Sequence, residues 1–266
     1  MRQKKMKLRK KILLILVVIL AIAGISCGIY IGNYYHADSA ALEVIENPEN
    51  GISVTEEKND YIVFAPENPS AGLIFYPGGK VQYEAYAPLM EACAQKGILC
   101  VLVHMPGNLA VLDINAADGI REQFPGIDHW YMAGHSLGGS MAASYLGSHT
   151  EEFDGLILLA AYSTEDLSGT DLDVLSVYGS EDGVLKMDSY EKYRENLPDD
   201  FTEYVIPGGC HAGFGSYGPQ DGDGQPEISS EEQIRLTVDA IEKVVYKYSS
   251  RFFMVFLIFY PRVIFY

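Results

Sequence analysis

The sequence predicts an α/β domain, a mostly parallel central sheet flanked by helices, preceded by one apolar N-terminal helix. Three observations predict it. Short apolar runs alternate with segments of helical spacing through residues 51–250, the pattern of buried strands joined by crossover helices. One of those runs leads straight into Gly134-His135-Ser136-Leu137-Gly138-Gly139, a glycine-rich turn between a strand and a helix. Residues Ile12 to Ile31 form 20 consecutive positions without a charge.

That uncharged run is long enough for a helix to cross a hydrocarbon core of roughly 30 Å. Seven of the 19 basic residues precede it (Arg2, Lys4, Lys5, Lys7, Arg9, Lys10 and Lys11), and no acidic residue occurs before Asp38. This asymmetry predicts a signal-anchor with a cytoplasmic N-terminus and the remaining chain outside the cytoplasm. A cleaved signal peptide is the competing reading, although its apolar region usually runs to only about 7–15 residues. A lipidated Cys27 is a third, but Gly24 stands where a Leu-like residue is expected. Beyond position 11, twelve basic residues face all 36 acidic ones. So acidic a body repels phosphate and excludes a nucleic-acid partner. Four cysteines in 266 residues make no disulfide framework.

The elements follow in order. Residues 32–50 read as a polar connector with a short helix at 40–45. Gly51–Thr55 and Tyr61–Ala65 are short strands with turn residues Lys58-Asn59-Asp60 between them. Ala71–Tyr76 (AGLIFY) is a buried strand that stops at Pro77-Gly78-Gly79. Apolar spacing makes Tyr86–Lys96 a helix, and Gly97 ends it. Ile98–His104 is a buried strand, and Ala110–Phe124 is expected to be a helix broken by Pro125-Gly126. Trp130–Ala133 is the strand before the glycine-rich turn, and a small-residue helix runs on to Leu146. Gly155–Ala160, Val174–Tyr178 and Thr202–Ile206 are the last strands, with helices at Ser189–Asn196 and Glu231–Tyr248. The body is one domain, residues 51–250. Residues 208–226 are rich in Gly and polar side chains, as befits a long loop beside a functional site.

Gly134-His135-Ser136-Leu137-Gly138 fits G-x-S-x-G in the strand–turn–helix context that supports a nucleophile elbow. The turn forces Ser136 into a strained backbone conformation, and only residues lacking a Cβ can pass close to it. The following helix directs its free N–H groups and positive dipole end toward the serine. A serine hydroxyl needs a base. On a scaffold of this kind the chain order is Ser, acid, His, and among six histidines only His211 lies after residue 149. It follows the last strand directly, within Pro207-Gly208-Gly209-Cys210-His211. The acid is expected after Val174–Tyr178, where Asp182 is the choice and Glu181 the rival. Its carboxylate would hold the His211 tautomer and stabilise the imidazolium. Two backbone N–H donors are needed for the oxyanion. Leu137 supplies one, and the Tyr76-Pro77-Gly78-Gly79-Lys80 loop supplies the other, from Gly79 or alternatively Lys80. His135 and Lys80 are further candidates for touching substrate. His104, at a strand end, either lines the pocket or packs.

These residues resemble the α/β-hydrolase superfamily, and within it the small, compact dienelactone-hydrolase-like group. The matching segments are FYPGGKVQYEAYAPL, HMPGNLAVLD, YMAGHSLGGSMAASYL, VYGSEDGV and PGGCHAGFGSYGPQDGDG, in order over about residues 61 to 245. The resemblance implies a Ser136–His211–Asp182 triad that hydrolyses carboxylic esters or related acyl substrates without a cofactor. Some members of the group carry a Cys nucleophile; the Ser here points to serine-esterase chemistry. Cys210 is expected to line the pocket or simply to pack. Only residues 161–173 separate two strands where larger relatives insert a helical cap, so a minimal lid and an open, shallow pocket are expected. A peptidase or amidase on the same triad, and a catalytically silent binding domain, are the rival functions.

Asp221-Gly222-Asp223-Gly224 has some likeness to a calcium loop, with Glu232 at its twelfth position. Pro226 replaces the required Gly, so a solvated acidic turn is the expectation. No His/Cys cluster has zinc spacing, and no metal is expected. Cys93 and Cys100 read either as a pair able to approach one another or as separately packed thiols. The apolar tail Phe252–Tyr260 is too short to span a bilayer.

Overall fold

A computed structural model describes residues 2–57 and 60–247. The chain divides into two units, Met1–Tyr34 and Tyr35–Tyr266. The first is a single helix, α1 (Arg2–Gly32), whose stretch Lys10–Tyr30 is long and apolar enough to cross a membrane. The apolar tail, the end of the closing helix past Lys247 and the turn residues Lys58-Asn59 lie outside the described residues.

The second unit holds strands β1 (Ile52–Glu57), β2 (Tyr61–Pro66), β3 (Ala71–Tyr76), β4 (Ile98–Val103), β5 (Trp130–His135), β6 (Gly155–Leu159), β7 (Asp173–Gly179) and β8 (Thr202–Ile206). They form one sheet in the order β1-β2-β4-β3-β5-β6-β7-β8. β2 runs antiparallel to both β1 and β4, and every other pairing is parallel. The helices are α2 (Ser39–Glu46), α3 (Ala87–Gln95), α4 (Leu137–Leu146), α5 (Met187–Tyr193) and α6 (Ser230–Val245).

Strand β3 shows why the sheet is covered on both faces. All six of its residues are buried. Leu73 and Phe75 join a cluster with Leu89 and Met90 of α3 and Ile234, Val238 and Ile241 of α6. Ile74 and Tyr76, pointing the other way, join Ala142, Ala143 and Leu146 of α4. The period of two divides one apolar run between two cores. α6 earns its place by buried residues at helical spacing, and Ser229 caps it by accepting from the Glu232 N–H at 3.1 Å.

Two expectations are corrected. Residues 110–124 form no α-helix; they hold 3₁₀ turns at Ala110–Leu112 and Arg121–Gln123. The buried Tyr76 hydroxyl captures this segment's backbone: it donates to Ile114 C=O at 2.8 Å and accepts from Ala117 N–H at 2.9 Å. Those groups are therefore drawn off from a helical ladder. The connector, in turn, belongs largely to the body. Tyr35 bridges to Val81, Ala37 N–H donates to Gln82 Oε1, and Asp38 caps α2.

Candidate active site

The sequence-predicted residues all follow the C-terminal ends of parallel strands: Gly79 after β3, Ser136 after β5, Asp182 after β7 and His211 after β8. Open α/β sheets form their crevices there. Ser136 has φ 52° and ψ −120°, a left-handed value that a side chain adopts at a cost of about 1–3 kcal/mol. Its N–H donates to Leu159 C=O at 2.9 Å, and its C=O accepts from Ser140 N–H at 3.1 Å, so strand and helix both hold the turn. A Cβ on Gly138 would overlap the backbone carbonyls of Tyr76 and Pro77. One on Gly134 would stand 2.6 Å from the backbone of Gly138 and Gly139. The glycines of the motif are required by this approach of α4 to β3 and β5.

His211 Nδ1 and Asp182 Oδ2 are 2.9 Å apart, with side chains only 1% and 2% exposed. Asp182 Oδ1 accepts from the Val184 and Leu185 N–H groups at 2.9 and 2.8 Å. The carboxylate is thereby oriented by three bonds, and Nδ1 is the nitrogen that carries the His211 proton. His211 Nε2 is buried and has no hydrogen bond among the described residues. Glu181, the rival acid, accepts instead from the hydroxyl of Ser180 at 3.0 Å.

In the loop after β3, Lys80 N–H donates to Asn108 C=O at 2.7 Å, and Gly78 N–H donates to the Tyr86 hydroxyl at 3.1 Å. Gly79 N–H makes no hydrogen bond among the described residues, and neither does Leu137 N–H. The two residues are neighbours, since a Cβ on Gly79 would stand 2.9 Å from Leu137 Cδ2. Lys80 itself sits at φ 61° and is half-buried.

His135 is placed differently from a substrate-touching residue. It is 1% exposed, and its Nδ1 lies 2.7 Å from the Tyr86 hydroxyl. Burial drives the Tyr86 phenol well above its ordinary pKa, so it keeps its proton. The phenol oxygen already accepts from Gly78, which leaves the O–H to donate to His135 Nδ1 and puts the His135 proton on Nε2. Burial first, and the His211 ring second, hold the His135 imidazole well below its ordinary pKa and therefore neutral. The two imidazole rings pack with centroids 4.5 Å apart, which brings His211 to the end of β5. His104 is exposed and stacks on Tyr83 at 4.6 Å.

Two polar residues that sequence reasoning did not assign grip the His211 loop. Gln233, on the buried face of α6, accepts from Cys210 N–H at 3.0 Å and donates to Cys210 C=O at 2.8 Å. A glutamine among the apolar positions of an amphipathic helix was the available signal. Asp223 is the other. Far from forming a solvated acidic turn, it faces four backbone N–H groups. Cys210 packs, at 5% exposure, while Cys93 and Cys100 are buried free thiols. Among the described residues no cluster of His, Cys, Asp or Glu could hold a metal. No helix occupies residues 160–172, so the lid is minimal.

Solved structures share this fold. A CIB-like hydrolase from Thermoplasma acidophilum matches with a TM-score of 0.55 at 18% identity, over 73% of this chain and all of that one. A thermostable esterase from Pseudomonas putida matches at 0.54 and 17% identity, over 73% and 83% of the two chains. Est1E from Butyrivibrio proteoclasticus matches at 0.50 and 13% identity, over 74% and 99%. No curated protein sequence matches the chain. At these identities the likenesses establish the fold. The sequence profile of the alpha/beta hydrolase family matches residues 72–235, more than half of the chain and the whole span from β3 into α6, and the chain therefore belongs to the alpha/beta hydrolase family.

Proposed function

We propose that the protein is a membrane-anchored serine hydrolase acting on carboxylic esters. One observation carries the reading: a strained Ser136 at the turn that ends β5, and a His211 that packs on the neighbouring His135 ring, is bonded through Nδ1 to a buried Asp182 and has no hydrogen bond at Nε2 among the described residues. His211 Nε2 takes the Ser136 proton as Oγ attacks the acyl carbonyl. The Leu137 and Gly79 N–H groups receive the oxyanion, and losing one such donor typically costs about 10²–10³ in kcat. Protonated His211 then gives its proton to the departing alkoxide. Water, activated by the same nitrogen, releases the acid and restores Ser136. Asp182 stabilises the imidazolium in both steps. None of these steps calls for a cofactor. The esterase named among the structural neighbours supports ester over other acyl chemistry, and the minimal lid favours short or exposed acyl groups. The basic residues that precede the apolar stretch of α1 favour a cytoplasmic N-terminus and an outward-facing catalytic unit.

The test is hydrolysis of p-nitrophenyl acetate and of the matching anilide by the full chain, with fluorophosphonate labelling and Ser136→Ala alongside. Ester turnover and labelling that both vanish in Ser136→Ala are expected. Anilide turnover in preference to ester would make the protein an amidase. A folded chain with neither turnover nor labelling would sink the proposal in favour of a binding domain.

A further inference from the structure

The segment Asp221–Gly224 lies directly on the turn that carries Asp182. A Cβ on Gly224 would overlap the Glu181 carbonyl, and one on Gly183 would stand 2.6 Å from the Gly222 carbonyl. Into this contact Asp223 extends its carboxylate. Oδ1 accepts from Gly183 N–H and His211 N–H, each at 3.1 Å, and from Gly224 N–H at 2.8 Å. Oδ2 accepts from Ala212 N–H at 2.8 Å. One side chain thus ties the residue after Asp182 to His211 itself and to the residue after it. Gly183 and Gly224 lie in loops and Ala212 opens a short 3₁₀ turn after His211, so these four N–H groups take the carboxylate as acceptor in place of a strand or helix ladder.

We infer that Asp223 is a positioning residue that locks the Asp182 loop to the His211 loop and so sets the imidazole–carboxylate geometry. The inference rests on the proposed Ser136–His211–Asp182 chemistry for its kinetic consequence. Burial pushes the Asp223 carboxyl up, but the four N–H bonds outweigh it and hold the group below its ordinary range. It is therefore an anion at neutral pH. The Cys210 thiol registers that anion, being raised to about 11 by burial first and by Asp223 next. A carboxylate is suited to this place because only its paired oxygens can accept from four donors converging from three directions. An asparagine would turn an NH₂ toward some of them.

The test uses the full chain with Asp223→Asn and Asp223→Ala. The readouts are kcat and KM for p-nitrophenyl acetate and the low-field proton resonance of the His211 Nδ1–H···Asp182 bond. Displacing a reacting group by about 1 Å can cost about 10²-fold in rate. Asp223→Ala is expected to lower kcat by about that factor, leave KM within about threefold, and broaden or shift the low-field resonance. Asp223→Asn, which keeps the volume and one acceptor, is expected to fall between Ala and the parent. If Asp223→Ala does not fold, Asp223→Asn decides on the same readouts. A folded variant with parental kcat and an unchanged low-field proton would overturn the inference. Should the parent prove inactive, the ester-hydrolase reading fails by itself, and the resonance still reports whether Asp223 sets the pair.

Discussion

Replacing Tyr86 by Phe removes one oxygen from the centre of the site and leaves the ring in place. Tyr86 is fully buried, and its ring packs 5.0 Å from that of Phe75, so no cavity opens. The lost hydroxyl strands two groups: Gly78 N–H, which donates to it at 3.1 Å, and His135 Nδ1, which accepts from it at 2.7 Å. A buried polar group left without a partner costs about 1–3 kcal/mol. Two of them set the expected loss for Tyr86→Phe at about 2–6 kcal/mol. Urea unfolding of the full chain in a mild detergent measures it. Trp130, the only tryptophan and only 2% exposed in β5, provides a fluorescence signal from the sheet itself. The His135→Leu background isolates one of the two bonds. There Nδ1 no longer exists to be stranded, and Tyr86→Phe is expected to cost about 1–3 kcal/mol less. A loss below about 0.5 kcal/mol, or an identical loss in both backgrounds, would refute the account of Tyr86 as the link between the loop after β3 and His135.

Gly138→Ala would drive a Cβ into the Tyr76 and Pro77 carbonyls, which are backbone atoms with no rotamer to yield. A stability loss of about 3 kcal/mol, with loss of fluorophosphonate labelling, is expected, and parental melting and labelling would contradict the packing described. The neutral, buried His135 makes stability depend on pH in a definite direction. Its folded-state pKa lies well below the ordinary histidine value of about 6.5. Its contribution is therefore full above about pH 6.5 and is lost progressively as pH falls from there through the depressed folded value. Unfolding free energies of the parent and His135→Gln between pH 4.5 and 7.5 should diverge in slope below pH 6.5, by up to about 1.4 kcal/mol per pH unit; parallel curves would mean that His135 charges freely in the fold.

The sequence by itself determined the parts of the protein that depend on neighbours along the chain. Gly134 and Gly138 announced the turn at Ser136 because the steric demand is local: a strand, one tight residue and a helix within a few positions. The buried strands were legible because apolar runs of five or six residues have nowhere to go except a sheet covered on both faces. Chain order singled out His211, since no other histidine follows residue 149, while the choice of Asp182 over Glu181 rested on the turn and was met by the 2.9 Å contact to His211 Nδ1. Only the tertiary structure decided the remainder, for one physical reason. Hydrogen bonds between residues distant in sequence leave no periodicity behind. Tyr76 reaches 38 positions forward to take Ile114 C=O and prevents a helix that the apolar spacing had favoured. Gln233 reaches back 23 positions to hold Cys210. Asp223, in a segment that reads as a surface turn, is drawn inward by backbone donors from loops 11 to 40 residues away. Composition and spacing place a polar group on the chain; only the fold determines which buried partner it must satisfy.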